Sequence, residues 1–282
     1  MNKNHRLSFE FFPPKTERGE VNLRATRDRL AGLGPDFFSV TYGAGGSTRH
    51  NTRDVVLAGL QAGLAFAPHL SFGGDREHTM RELLDEYAEA GIKRIVALRG
   101  DLPSGFGDGS RLVHASELVE FIREHYGDRF HIEVAAYPEI HPEAKSYDSD
   151  IRFLKKKFDI GANSAITQYF YNADAYARFI DECARVGIDQ PIYPGIMPIT
   201  NFDNLKRFSA NCGAEIPRWL AYRIVSLGED NESVNAFCVD FISQLCEQLL
   251  SHGAPGLHFY TMNQAPAVEA IAHNLGIAPG SR

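Results

Sequence analysis

Short β-like runs, each followed by an amphipathic stretch of helical spacing, recur along the whole chain, and this alternation limits the fold more than any other feature. The runs are RLSFEFF (6–12), DFFSVTY (36–42), AFAPHLSF (65–72), RIVALRG (94–100), HIEVAAY (131–137), SAITQYF (164–170), PIYPGIM (191–197) and GLHFYTM (256–262). Between them stand helix candidates such as HTMRELLDEYAEAG (78–91), with Gly91 placed as a stop, and a longer helical tract over roughly 217–252. No hairpin turn signals join the runs, so a parallel sheet is expected.

About eight strands suit a closed barrel. An open doubly wound sheet shares the alternation, but its phosphate-binding glycines should follow the first strand. Pro13-Pro14 stand there instead, and YGAGGS (42–47) fails the GxGxxG spacing. The expected fold is therefore α/β: a single (β/α)8 TIM-type barrel over residues 1–282, with extra helical sequence before the last strand.

In or just after the β-like runs stand Glu10, Thr41, His69, Arg99 with Asp101, Tyr137, Gln168 and Thr261. In a parallel barrel all strand C-termini open on one face, so these polar groups would share one rim. Strand ends offer no Lys, which removes a Schiff-base aldolase.

Glu10 is unusual, an acid among Phe9, Phe11 and Phe12. Either it pairs with a neighbouring Arg, or poor hydration raises its pKa and keeps it protonated as a general acid near neutral pH. Arg99 and Asp101 could fix a polar ring or simply pair with each other. The KKK run (155–157), on a helix expected to begin near Tyr147, could be a solvated face or a phosphate anchor.

The 36 acidic residues against 29 basic ones give a net charge of −7, the wrong sign for gripping a phosphate backbone, so nucleic acid is not an expected partner. No apolar stretch is long enough for a signal peptide or a membrane span, and a cytoplasmic protein is expected. Cys183, Cys212, Cys238 and Cys246 form no CxxC pair, and there is no HExxH. No zinc or redox site is therefore signalled, and buried, inert thiols are expected.

Taken together and in order, SFEFFPPK, SVTYGAGGS, APHLS, ALRGDLP, AAYPEIHPEA, GANSAITQYFY, PGIMPITN and HFYTMN resemble the methylenetetrahydrofolate reductase family in its short bacterial form. The resemblance covers nearly the whole chain. It implies an FAD-containing β/α barrel that passes a hydride from NADH or NADPH through the flavin to 5,10-methylenetetrahydrofolate, giving 5-methyltetrahydrofolate for one-carbon metabolism and methionine supply. A single catalytic domain without a regulatory domain, and a homo-oligomer, are further expectations.

By that resemblance Glu10 is the proton donor and Asp101 the acid near flavin and folate. Gln168 contacts substrate and nicotinamide in turn, Thr41 binds nicotinamide, and Phe208 packs on the same ligands, with Asn204 and Gln264 also on the folate side. The flavin positions are Tyr42, Ala44, His69, Arg99, Gly100, Asp101, Ala115, Tyr137, His141, Ala144, Asp150, Lys156 and Lys157. His114, Phe153, Asn204 and Gln264 replace the Tyr, Asn, Gln and Arg of enteric-type relatives. Two rival readings are another flavin barrel, such as a proline dehydrogenase-like enzyme, and a folate-binding subunit without redox function.

Overall fold

The structure, a computed structural model, describes residues 5–43, 49–72, 77–99, 114–228 and 230–277. Among them run nine strands and ten helices. In chain order they are β1 (Arg6–Phe11), α1 (Glu17–Ala31), β2 (Phe37–Val40), α2 (Arg49–Gln61), β3 (Phe66–Leu70), α3 (Glu77–Glu89), β4 (Arg94–Ala97), α4 (Ala115–Tyr126), β5 (His131–Ala136) and α5 (Tyr147–Ile160). There follow β6 (Ser164–Thr167), α6 (Ala173–Arg185), β7 (Ile192–Tyr193), β8 (Gly195–Ile196), α7 (Phe202–Cys212), α8 (Arg218–Ser226), α9 (Asn231–Ser251), β9 (Gly256–Tyr260) and α10 (Pro266–Asn274).

Every strand pairing is parallel, in the order β7-β6-β5-β4-β3-β2-β1-β9-β8. The run expected as one strand over 191–197 is two strands. β7 pairs with β6, β8 pairs with β9, and Pro194 between them has no N–H for a ladder. Its carbonyl still accepts from His258 N at 3.0 Å, so the broken strand nearly closes the ring. The other strands lie inside the expected runs but end one to three residues earlier, close to where the rim residues stand. The helical tract expected over 217–252 is two helices, divided at 227–230.

Alternation along each strand sorts side chains into two cores. Phe9 and Phe11 turn outward and join Phe38, Phe66 and Phe259 in a band beneath the helices, with ring centroids 5.3–6.0 Å apart. Gly59 of α2 lies so close to this band that an added Cβ would come within 2.1 Å of the Phe66 ring. Inside the barrel is a smaller cluster of Phe37, Ala67, Val96, Ile166 and Tyr193, with Tyr260 against it. Gly195 admits Tyr260 there, since a Cβ would stand 2.6 Å from its ring and 2.2 Å from the Thr167 carbonyl.

Helix starts are set by short polar caps. Thr16, Ser146, Asn172, Asn201 and Asp230 accept backbone N–H groups at the starts of α1, α5, α6, α7 and α9. Each such cap is worth about 1 kcal/mol. No helix of the described residues is long and apolar enough to cross a membrane.

Candidate active site

Because all strands run the same way, their C-terminal ends form one mouth. Glu10 and His69 lie near the ends of β1 and β3, while Thr41, Arg99, Tyr137, Gln168 and Thr261 follow β2, β4, β5, β6 and β9. Ala44, Gly100 and Asp101 lie outside the described residues.

Glu10 points inward, opposite to its phenylalanine neighbours. Ser39 donates to its Oε2 at 3.4 Å, and His258 Nε2 lies 3.3 Å from the same oxygen. A carboxylate only accepts, so His258 carries its hydrogen on Nε2; its Nδ1 is 2.8 Å from Ser8 Oγ. His69 Nε2 is also 3.3 Å from Oε2, without the angle of a hydrogen bond. The site is nearly closed to water, with Glu10 15% exposed and His258 fully buried.

This environment reverses one expectation. Burial pushes the Glu10 pKa up, but the charge of His69 and the hydrogen bond and charge of His258 outweigh it and hold the carboxyl at about 2. A raised pKa followed from reading the phenylalanines as its surroundings, yet adjacent strand residues face opposite ways. Its surroundings are Ser39, His69 and His258. Among the described residues no arginine acts on it, so the pair with a neighbouring Arg is not found there.

Beside this group, a second cluster spans the ends of β4 and β5 and the start of α5. The Tyr137 ring meets His141 edge-on at 4.6 Å, and His141 N donates to Asp150 Oδ2 at 2.8 Å. Arg99 donates to both carboxylate oxygens of Glu143, with Nη2 2.9 Å from Oε1. Burial, then the Arg99 charge, lowers the His141 pKa. Ala144 lies in the same loop, where Ile140 has a left-handed φ of 74°. For a β-branched residue this is a strained conformation of the kind found at binding sites.

The KKK run divides three ways: Lys155 pairs with Asp159, Lys156 is exposed, and Lys157 reaches under the sheet to the Ala135 carbonyl. Burial lowers the Lys157 pKa to about 8 despite the nearby Asp150 charge. A buried ammonium held on a neutral carbonyl suits an anionic ligand. With Arg99, the aromatic pair and the first residue of α4, Ala115, this donor set fits a flat ring system carrying a diphosphate. Tyr42, at the end of β2, accepts from Arg49 Nε at 3.0 Å, and Thr41 O accepts from Thr52 of α2 at 2.8 Å.

On the far side of the mouth, Gln168 Oε1 accepts from Tyr169 N at 3.0 Å, which orients the carboxamide. The Tyr169 hydroxyl is 3.0 Å from Ser209 Oγ of α7, the helix that carries Asn204 and Phe208. Phe208 is half-buried under the Arg207 guanidinium at 5.7 Å. Asn204 is exposed and accepts from Arg207, and Gln264 is exposed in the β9–α10 loop. His114 precedes α4, where its N–H donates to Glu117, and Phe153 is 63% exposed on α5.

Sequence reasoning missed Ser8, Ser39, His258, Tyr260 and Asn263. Period-two alternation held the signal for the first four, because Ser8 shares a face with Glu10, and His258 with Tyr260. Cys183, Cys238 and Cys246 are buried, as expected, with raised pKa values, whereas Cys212 is only partly buried, with its thiol 3.4 Å from the Tyr169 hydroxyl.

A parallel β/α barrel with a carboxylate, two histidines and a cation-bearing loop cluster at its mouth defines a barrel enzyme of the kind that holds ligands at the C-terminal face. The Methylenetetrahydrofolate reductase family model matches residues 1–276, and the chain belongs to that family. The chain is similar to the 5,10-methylenetetrahydrofolate reductase of Escherichia coli K12, at 43% identity over 97% of this chain and 92% of the relative. The Pectobacterium carotovorum enzyme of the same name is 42% identical over 97% and 91%. The Arabidopsis thaliana protein named methylenetetrahydrofolate reductase (NADH) 1 is 38% identical over 98% of this chain but 49% of its own length. Among solved structures, a Clostridium thermocellum protein described as binding two copies of 5-methyl-5,6,7,8-tetrahydrofolic acid superposes with a TM-score of 0.64 at 18% identity, covering 98% of this chain and 94% of that one.

Proposed function

We propose that this chain reduces 5,10-methylenetetrahydrofolate to 5-methyltetrahydrofolate with a hydride from NADH or NADPH relayed by bound FAD. The observation that carries the mechanism is Glu10, ringed by Ser39, His69 and His258 at the mouth of a barrel of the methylenetetrahydrofolate reductase family.

FAD, when bound, accepts a hydride from the nicotinamide and delivers it to the folate. Tyr42, Ala44, His69, Arg99, Gly100, Asp101, Ala115, Tyr137, His141, Ala144, Asp150, Lys156 and Lys157 are assigned to hold it. Lys157 and Arg99 would meet the diphosphate, and Tyr137 and His141 would pack on the rings. Thr41 and Gln168 orient the nicotinamide.

Folate then takes the nicotinamide's place, contacting Gln168, Asn204, Phe208 and Gln264. A ring nitrogen must gain a proton for the five-membered ring to open to an iminium, which the hydride converts to the methyl group. Glu10 delivers that proton. Its carboxyl is ionised in the ligand-free site, so the donor is the carboxyl together with its histidines. A bound ligand excludes water and strengthens the burial effect that already pushes the Glu10 pKa up, which favours the protonated carboxyl. Three groups act on Oε2, which leaves Oε1 for the folate. Asp101 supplies negative charge near the iminium.

Self-association through the outer helices belongs to the same proposal. Its most suitable described surface is α8, where Trp219, Tyr222 and Val225 are 57%, 64% and 64% exposed along one face. Sedimentation of the wild type and of Tyr222→Glu tests it.

The functional reading is tested by anaerobic stopped-flow of the yellow protein with NADH and NADPH in turn, then with methylenetetrahydrofolate. Reduction by a nicotinamide followed by reoxidation by folate supports it. Reoxidation by proline-derived imines and not by folate favours the rival flavin barrel, and a protein that cannot be loaded with FAD favours the folate-binding subunit.

A further inference from the structure

The strand that carries Glu10 ends in a difficulty. Beyond Phe12 stand Pro13 and Pro14, which have no N–H to continue a ladder, and the last register partners of β1 and β9 are Glu10 and Tyr260. Beyond that pair β9 no longer carries the acid's strand, which the ladder holds on the β2 side alone, as far as Phe11 and Val40. Phe12 is nevertheless bonded at both its N–H and its carbonyl. Its N–H donates to Asn263 Oδ1 at 3.0 Å, and Asn263 Nδ2 donates to its carbonyl at 2.8 Å. One carboxamide thus makes the paired exchange that a neighbouring strand would otherwise make.

The backbone is bent to allow this. Met262 and Asn263 both lie in the left-handed region, with φ of 51° and 55°. Two successive non-glycine residues in that region are uncommon, and Asn is among the few that tolerate it. Thr261 completes the bracket. Its hydroxyl donates to Glu10 O at 2.6 Å and accepts from Asn263 N at 3.1 Å, while Asn263 O accepts from Thr26 of α1 at 3.2 Å. On the opposite side, Thr41 N donates to Phe11 O at 2.9 Å and Asn51 Nδ2 to Pro14 O at 3.2 Å.

We propose that Asn263 is a positioning residue for the reaction: its carboxamide fixes the height of Glu10 in the barrel mouth and ties it to the loop that carries Gln264. The residue type follows from the geometry. An acceptor and a donor must stand side by side on a short stem that accepts a left-handed backbone. Asp would set an oxygen against the Phe12 carbonyl, and Gln is one methylene too long. The inference rests on Glu10 being the proton donor.

Asn263→Gly is the informative variant, because Gly keeps the left-handed backbone without strain and removes only the bracket; Asn263→Asp keeps the shape and one acceptor. Both are compared with the wild type, FAD-loaded, in separate nicotinamide and folate half-reactions, together with amide exchange at Phe12 and NMR titration of the Glu10 carboxyl. Faster exchange at Phe12, a shifted Glu10 titration and a folate half-reaction slower by about tenfold or more, with the nicotinamide half-reaction unchanged, are expected. Faster exchange with both the Glu10 titration and the folate half-reaction as in the wild type would make the bracket merely structural and overturn the proposal. A wild type that never reoxidises its flavin with folate contradicts the functional reading instead, and the Glu10 titration in the two variants then decides the bracket alone.

Discussion

Among the described residues, two carboxylates face the barrel interior in different company. At the lower end, Glu133 is fully buried and bonded to the Arg94 guanidinium, with His131 Nε2 at 3.3 Å. At the mouth, the partners of Glu10 among the described residues are Ser39, His69 and His258. Both have lowered pKa values against the upward push of burial. For Glu133 the opposing groups are His131, Arg94 and Ser164, and for Glu10 the two histidines. A guanidinium is a permanent cation, so the partner that favours the Glu133 anion keeps its charge as pH changes. Among the described residues Glu10 has no such permanent cation beside it, so its charge is less firmly fixed. The same residue type is structural at one end of the barrel and chemical at the other because its neighbour differs.

Breaking the lower site should have the largest effect on stability. Arg94→Ala leaves the Glu133 carboxylate buried without its guanidinium and should cost about 3–5 kcal/mol in denaturant unfolding. A loss below about 1 kcal/mol would mean that His131 and Ser164 suffice.

The upper site should appear in the acid limb of stability. The Glu10 pKa is lowered from 4.5 to about 2 on folding, so its contribution is complete above the unfolded value and lost as pH falls from 4.5 towards 2. Glu10→Gln should remove up to roughly 3 kcal/mol of that pH dependence, one pKa unit being 1.36 kcal/mol. An acid limb superimposable on the wild type would show that the histidines do not hold the carboxyl down.

Lys157 extends the comparison to a buried cation. Its pKa falls from 10.5 to about 8, so the cost of burying its charge is fully present below about 8 and vanishes above 10.5. Lys157→Met should therefore stabilise the flavin-free protein by about 2 kcal/mol at neutral pH, once the bond to Ala135 is subtracted, and by less at pH 10. FAD dissociation should rise tenfold or more in the same variant. Unchanged FAD affinity would remove Lys157 from the diphosphate site.

The smallest effect belongs to the exposed rim. Gln264→Arg offers the folate tail a bidentate cation and should lower the Michaelis constant for folate several-fold while leaving the nicotinamide half-reaction alone. An unaltered constant would place the tail elsewhere.

The alternation that defines the barrel was legible because it is local: each strand and most helix caps can be read within a few residues. Pro194 divides a strand for an equally local reason, yet which halves pair with which depends on closing the ring. The environment of Glu10 is not local at all. Its partners come from β2, β3 and β9, and the phenylalanines beside it in sequence face the other core, which is why a raised pKa was the natural reading of SFEFF and a lowered one is found. Asn263 was equally hidden, since its role lies in meeting the first strand at the opposite end of the chain. The flavin and folate positions rest on motif and stand as proposals; Arg99 pairs with Glu143, while its pairing with Asp101 lies outside the described residues.

The claim that Glu10 and its histidines form the proton donor is tested most directly by anaerobic single-turnover stopped-flow of FAD-loaded Glu10→Gln. Gln keeps the size and a hydrogen-bonding end but cannot deliver a proton. The account predicts an unchanged nicotinamide half-reaction and a folate half-reaction slower by at least ~10²-fold. A folate half-reaction at the wild-type rate would contradict it and leave Glu10 as a second structural acid beside Glu133.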